Sequence, residues 1–177
     1  MKALIGIGIP GSGKTTTLKK FAEKNGYIYI CPDDIRAELS GDPSDQTRNK
    51  EVWELTYKRA ETAIQNGLTI VVDATFANPG QRKSFIEFLR KSGVNKIQGL
   101  YVDTPLEIAK ERNQKRDRKV PDFVLDRMHA SITENPPSLT DGLDSLIILD
   151  ENQKLISTKI RNSKEEESLK DFKPKIN

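Results

Sequence analysis

Residues 8–15 read "GIPGSGKT", with an apolar run from Lys2 to Ile9 before them and helical spacing of Leu18, Phe21 and Ala22 after them. The eight residues satisfy G-x-x-x-x-G-K-[ST], and strand before, helix after is the context that pattern needs. Glycines let such a loop curl so that its N–H groups point inward, and the helix start adds partial positive charge for an anion. The expected nucleotide-binding set is therefore Gly8, Pro10, Gly11, Ser12, Gly13, Lys14, Thr15 and Thr16. Lys14 is expected to bridge the β- and γ-phosphates of ATP, which makes it catalytic as well, and Thr15 to hold Mg²⁺. A glycine turn without a ligand is the alternative. At average glycine usage of about 7%, the four specified positions coincide by chance in well under roughly 1% of chains this long.

Outward from the loop, apolar strands alternate with helical stretches. Gly26 closes the first helix, and "YIYIC" is a second short strand. Residues 47–67 carry Trp53, Tyr57, Ala60 and Ile64 at helical spacing and stop at Gly67, and "LTIVVD" is a third strand. Asn78 and Pro79 read as N-cap and first-turn residue of a helix running through Lys91, with Gly93 as its stop. "KIQGLYVD" is a fourth strand, and Thr104 with Pro105 repeats the helix-start signal before "LEIAKERNQKR". A further helix is expected from Pro121 to about residue 132, and "SLIILD" is a fifth strand. Strands apolar on both faces, alternating with helices, imply a mostly parallel sheet covered on both sides, a three-layer α/β domain. The expected boundaries are a domain over residues 1–158, with a lid at about 112–135, and a charged tail over 159–177, either helical or disordered.

Composition limits the function classes. The chain has 177 residues, 31% charged and 35% hydrophobic, and a net charge of only +3, which permits a nucleic-acid partner without demanding one. Cys31 is the single cysteine, so no intrachain disulfide or cysteine metal cluster forms, and a reducing cytoplasmic compartment fits. The glycine-interrupted N-terminus contains neither a signal h-region nor a membrane span. His129, the one histidine, has no partner at ligand spacing.

Three further groups bear on chemistry. Asp73 ends the third strand, where a carboxylate either orients Mg²⁺, directly or through water, or caps a turn; Asp34 competes for the water-mediated position. In "ICPDDIR", Asp33 follows the second strand, where an acceptor hydroxyl would approach the γ-phosphate in an open parallel sheet, and Arg36 lies one helical turn on. Asp33 reads as a general base and Arg36 as a phosphate contact, although "PDDIRAEL" also reads as a helix start with Asp33 as cap. Arg112 and Arg116 sit four apart on one expected helix face, with Arg118 and Lys119 behind them; a lid closing over the donor phosphates, or a solvated basic face, accounts for the run.

"GIPGSGKT", "PDDIR", "DATFANPGQR", "VDTPLEIAKERNQKR" and "KVPDFVLDRM" together resemble, in order and spacing, the kinase domain of 5′-polynucleotide kinases of the phage T4 type, over roughly residues 1–130. The resemblance implies transfer of the γ-phosphate of ATP to the 5′-hydroxyl of DNA or RNA, with Mg²⁺. It implies Asp33 as general base, Arg36 on the reacting phosphate, Arg116 as a lid arginine on the donor phosphates, and Thr75 against the acceptor's phosphate. Pro32 stands where that family commonly has a basic residue, and Ala74 where the phage enzyme has an acid. No phosphatase domain is expected in the same polypeptide. A single-stranded 5′-OH end is the expected partner, a separate ligase or phosphatase fits beside it, and a homo-oligomer is left open. Phe76, Arg82 and Lys83 could line an acceptor groove, a terminal base stacking on Phe76; the alternative puts Phe76 at the core edge and the two cations on a wet helix face. Trp53 and Tyr57 read as core. A small-molecule kinase and a nucleotide-binding switch are the competing functions.

Overall fold

The computed structural model describes residues 1–161. A six-stranded sheet runs in the order β2-β3-β1-β4-β5-β6. Its strands are β1 (Lys2–Ile7), β2 (Ile28–Ile30), β3 (Ile70–Asp73), β4 (Lys96–Val102), β5 (Ser145–Leu149) and β6 (Leu155–Ile160). The first five are mutually parallel and β6 returns antiparallel to β5. The helices are α1 (Lys14–Asn25), α2 (Pro32–Ser40), α3 (Asn49–Gln65), α4 (Pro79–Lys91), α5 (Leu106–Gln114) and α6 (Asp122–Glu134). A short 3-10 turn, Leu139–Asp141, leads into β5.

Two apolar clusters lie on opposite faces of the sheet. Ala3, Ile5 and Ile7 of β1 face one with Ile70 and Val72 of β3; Leu4 and Val71 face the other with Leu18 and Ala22 of α1. The two-residue alternation of a strand thus feeds both cores at once, which makes three layers. Gly6 permits the closeness of the second layer, because a Cβ there would stand 2.2 Å from Leu18 Cδ1.

Parallel strands place all their carboxyl ends on one sheet edge. The loops after β1, β2, β3, β4 and β5 therefore gather there, on both sides of the central β1 where the strand order reverses, which is where ligands bind in open α/β sheets.

Several sequence expectations hold in the structure. Asn78 Oδ1 accepts from Gln81 N at 3.0 Å as the α4 cap, and Gly26 closes α1 in the left-handed conformation. Trp53 and Tyr57 are partly buried and pack against the larger core. Others change. β6 was not expected and carries the fold to Ile160, two residues past the anticipated boundary at 158; the remaining tail, 162–177, lies outside the described residues. Thr104 does not cap α5, and its buried hydroxyl faces the phosphate loop instead. α5 stops at Gln114, so Arg116 sits in the turn beyond it and does not share a helix face with Arg112.

Candidate active site

The loop over residues 8–13 has the curvature that an anion cradle requires. Ser12 N donates to Ile9 O at 3.1 Å, and Gly8 N reaches across to Thr75 O at 3.0 Å, which ties the loop to the segment after β3. Gly11 has φ 84 and presses on the start of α5, where a Cβ would stand 2.3 Å from Ala109 O. Any other residue would strain the backbone and displace α5.

Behind the loop is a buried charged cluster. Lys14, only 9% exposed, points its ammonium at Asp73 Oδ1, 3.3 Å away. Asp73 Oδ2 accepts from the Tyr29 hydroxyl at 2.6 Å. Burial pushes the Asp73 carboxyl up, but Lys14, followed by hydrogen bonds from Thr15 and Tyr29, outweighs it and holds the group below its ordinary range. Tyr29 is pushed well above its ordinary value by burial and then by the Asp73 charge, so it stays a phenol and a donor. The same pair of causes raises the Cys31 thiol to about 11.

These residues fit a magnesium nucleotide on three observations. The buried Ser12 hydroxyl lacks a hydrogen-bond partner, and Asp73 Oδ1 faces the Lys14 ammonium alone across an ion-pair distance, leaving polar atoms at the loop and strand end for a ligand or its water. Thr15, already hydrogen-bonded with Asp73, opens α1 beside them. Among the described residues no three His, Cys, Asp or Glu converge into a protein-only cage, and Mg²⁺ is typically held by one or two protein groups together with substrate phosphates. Lys14, Thr15 and Asp73 are thus brought together as the sequence suggested. Asp34 is not: its exposed carboxylate pairs with Lys19 at 3.5 Å, and that ammonium lies 5.3 Å from the centre of the Tyr29 ring.

The acid after β2 sits among arginines. Pro32 takes the first position of α2 and Asp33 makes no side-chain cap. Its Oδ1 instead accepts from Arg36 Nη1 at 2.5 Å, and its Oδ2 forms an ion pair with Arg118 Nη1 at 2.8 Å. Arg36 is buried, bonded to Asn49 Oδ1 at 2.9 Å, and keeps an unpartnered Nε. Asp33 stays about half exposed, open to an incoming group.

Arg118 reaches Asp33 because the segment after α5 is pinned. Buried Asn113 imitates a backbone strand there: its Nδ2 donates to Val120 O at 2.7 Å and its Oδ1 accepts from Val120 N at 3.1 Å. Lys110 and Asp126 join α5 to α6 at 2.6 Å. The 115–120 turn therefore arches toward α2, with Arg116 exposed and Arg112 half-buried.

Two expected groove residues turn inward. Phe76 is fully buried with φ 43, its ring 5.2 Å from Phe85 and 6.2 Å from Trp53, so neither face is offered to a base. Arg82 is buried too; its Nε donates to Asp141 Oδ2 at 2.8 Å, Nη1 to Phe76 O at 2.9 Å and Nη2 to Asn135 O at 3.0 Å. Arg82 thus lines neither the acceptor groove nor a wet helix face, because one buried carboxylate and two backbone carbonyls supply what a buried guanidinium needs. Lys83 remains at the surface, 3.9 Å from Asp141. Thr75 keeps a partly exposed position beside Gly8.

A glycine loop at the centre of a mostly parallel sheet, backed by a Lys–Asp pair, defines the three-layer P-loop kinase fold. The chain belongs to the AAA domain family, whose sequence model matches residues 4–135. A protein of Acanthamoeba polyphaga mimivirus described as a bifunctional polynucleotide phosphatase/kinase is 26% identical over 113 residues, covering 64% of this chain and 23% of the viral protein. Adenylate kinase isoenzyme 1 of Sus scrofa is 32% identical over 128 residues, 65% of this chain and 64% of that enzyme. The chain thus spans less than two thirds of the length of these curated relatives. A chain in the structure of the Pnkp1/Rnl/Hen1 RNA repair complex superposes with a TM-score of 0.69 at 17% identity, over 92% of this chain and 50% of that one. Among the described residues no helix is long and apolar enough to cross a membrane.

Proposed function

We propose that this domain transfers the γ-phosphate of ATP to the 5′-hydroxyl end of a polynucleotide. The observation that carries the reading is Asp33: a half-exposed carboxylate at the carboxyl edge of the sheet, flanked by buried Arg36 and the lid residue Arg118. A carboxylate alone would repel a bound triphosphate. Two guanidiniums offset that repulsion and hold the carboxylate at the edge where an acceptor hydroxyl would arrive.

Lys14 and the N–H groups of the loop hold the donor phosphates, and Thr15 with Asp73 holds Mg²⁺, which when bound neutralises charge on those phosphates. Lys14 can leave Asp73 for phosphate without leaving the site, since only its ammonium must swing. Asp33 takes the proton of the incoming 5′-hydroxyl as that oxygen bonds to the γ-phosphorus and the bond to the β–γ bridging oxygen breaks, releasing ADP. Arg36, freed from Asp33 on one arm, meets the transferring phosphoryl group. Arg116 covers the donor side, and Thr75 stands toward the acceptor's own phosphate. The mimivirus relative supports a nucleic-acid acceptor.

The adenylate kinase likeness favours a second reading, a small phosphorylated acceptor. Incubation with γ-labelled ATP and Mg²⁺, offering 5′-OH DNA, 5′-OH RNA, AMP and a panel of small alcohols, separates them. Label on the oligonucleotides is expected. Label confined to AMP or to small alcohols would overturn the polynucleotide reading, and label nowhere would favour a switch. Asp33→Asn is expected to keep ATP affinity and to lose about 10²- to 10⁴-fold in transfer. Unchanged transfer would remove Asp33 from the chemistry.

A further inference from the structure

A loop that turns its N–H groups inward turns its carbonyls outward, and buried carbonyls need donors. At Ser12 the donors come from distant parts of the chain. Ser12 O accepts from Gln153 Nε2 at 3.3 Å and lies 3.5 Å from the Thr104 hydroxyl. Gln153 belongs to the turn between β5 and β6, beyond the 4–135 segment shared with the family.

The other end of the same side chain is fixed to α1. Gln153 Oε1 accepts from Thr17 Oγ1 at 2.6 Å, one helical turn past Lys14. Its backbone is held at φ 64, with Gln153 N donating to Asp150 O at 3.0 Å and Asp150 N to Lys154 O at 2.9 Å. Asp150 Oδ1 braces the turn further, accepting from Asn152 N and Lys154 N, each at 2.8 Å. The amide therefore spans from a rigid turn to both the loop and the helix that follows it.

The position of the contact gives it a consequence for phosphate. In a trans peptide the C=O and N–H point in opposite directions, so a Ser12 carbonyl drawn outward to Gln153 sends the Gly13 N–H toward the loop interior. Gly13 sits at φ 90, and a Cβ there would stand 2.9 Å from Gln153 Nε2. The left-handed backbone favours glycine, and a Cβ there would push the Gln153 amide aside.

We propose that Gln153 is a positioning residue of the phosphate loop, whose side-chain amide holds the Ser12–Gly13 peptide with its N–H facing the incoming phosphate. Nucleotide affinity then depends on the C-terminal hairpin. The inference rests on the loop's being the phosphate site, and the experiment keeps the two apart. MgADP and inorganic tripolyphosphate are titrated calorimetrically into the wild-type chain, Gln153→Ala, Gln153→Glu and Thr17→Val. Wild type is expected to bind both; failure to bind either removes the phosphate site and the proposal with it. Gln153→Ala is expected to bind each probe about threefold to tenfold more weakly, the range for losing a neutral hydrogen bond. Gln153→Glu keeps an acceptor for Thr17 but faces the Ser12 carbonyl with an anion, so it is expected to bind more weakly still. A merely structural role would lower thermal midpoints without that order. Midpoints of the nucleotide-free variants within about 3 °C of wild type, an effect of about 1 kcal/mol, are expected. Effects of Thr17→Val and Gln153→Ala are expected to be non-additive in the double variant. Both Gln153 variants binding as tightly as wild type would overturn the proposal, as would weakening that merely tracks lost stability.

Discussion

Replacing Arg82 by alanine tests whether this residue is acceptor groove or framework. The structure gives it three bonded arms and 1% exposure, opposite an Asp141 that is itself buried. Removing one partner of a buried pair leaves an uncompensated charge, which costs about 3–5 kcal/mol. Two carbonyls also lose their donors, and one belongs to Phe76, whose left-handed backbone (φ 43) needs external support. Against a total stability of about 5–15 kcal/mol for a domain, Arg82→Ala should lose roughly a fifth or more of what holds it folded. Urea unfolding followed by the fluorescence of Trp53, the single tryptophan, which contacts Phe76, reads this directly. With a slope near 2 kcal/mol per molar, the midpoint is expected to fall by about 1.5–2.5 M. Transfer per folded molecule should keep its acceptor KM at low temperature. A variant within about 0.5 kcal/mol of wild type but with a raised acceptor KM would refute the reasoning and return Arg82 to the groove.

Arg118→Ala breaks a part-exposed ion pair worth about 0–1 kcal/mol, so stability should hold while acceptor kcat/KM falls; Arg116→Ala should instead weaken ATP. Steady-state kinetics with each substrate varied in turn separates the two, and identical profiles would count against a split lid. Asp73 titrates below its unfolded value of about 3.9, so its contribution is complete above that pH and is lost as pH falls through the depressed folded value. The stability gap between wild type and Asp73→Asn, measured by urea melts, should therefore narrow below about pH 4; a gap constant from pH 7 to pH 3 would contradict this. Cys31, buried and raised to about 11, should resist iodoacetamide at pH 8 until the chain is unfolded, a point mass spectrometry decides.

The order of elements was legible because strands buried on both faces and helices with one apolar stripe leave different periodicities. Asn78 and Gly26 announced helix ends by local chemistry. Thr104 misled for the same reason: Thr before Pro is a good local start signal, but a buried carbonyl at Ser12 claimed the hydroxyl. The antiparallel β6 carries mostly exposed side chains, including Leu155 and Ile156, so it lacks the pattern that marked the other strands.

Sequence by itself determined the phosphate loop, the parallel sheet and the placement of Lys14, Thr15, Asp33 and Asp73 at one edge, because local glycine geometry and parallel strand direction suffice for all of these. Tertiary structure decided which charges meet. Tyr29 met Asp73, Arg118 reached Asp33, Arg82 and Phe76 turned inward, and Gln153 closed on Ser12. Such pairings join residues up to 141 positions apart, and one sequence carries no periodicity that reports a contact over that distance.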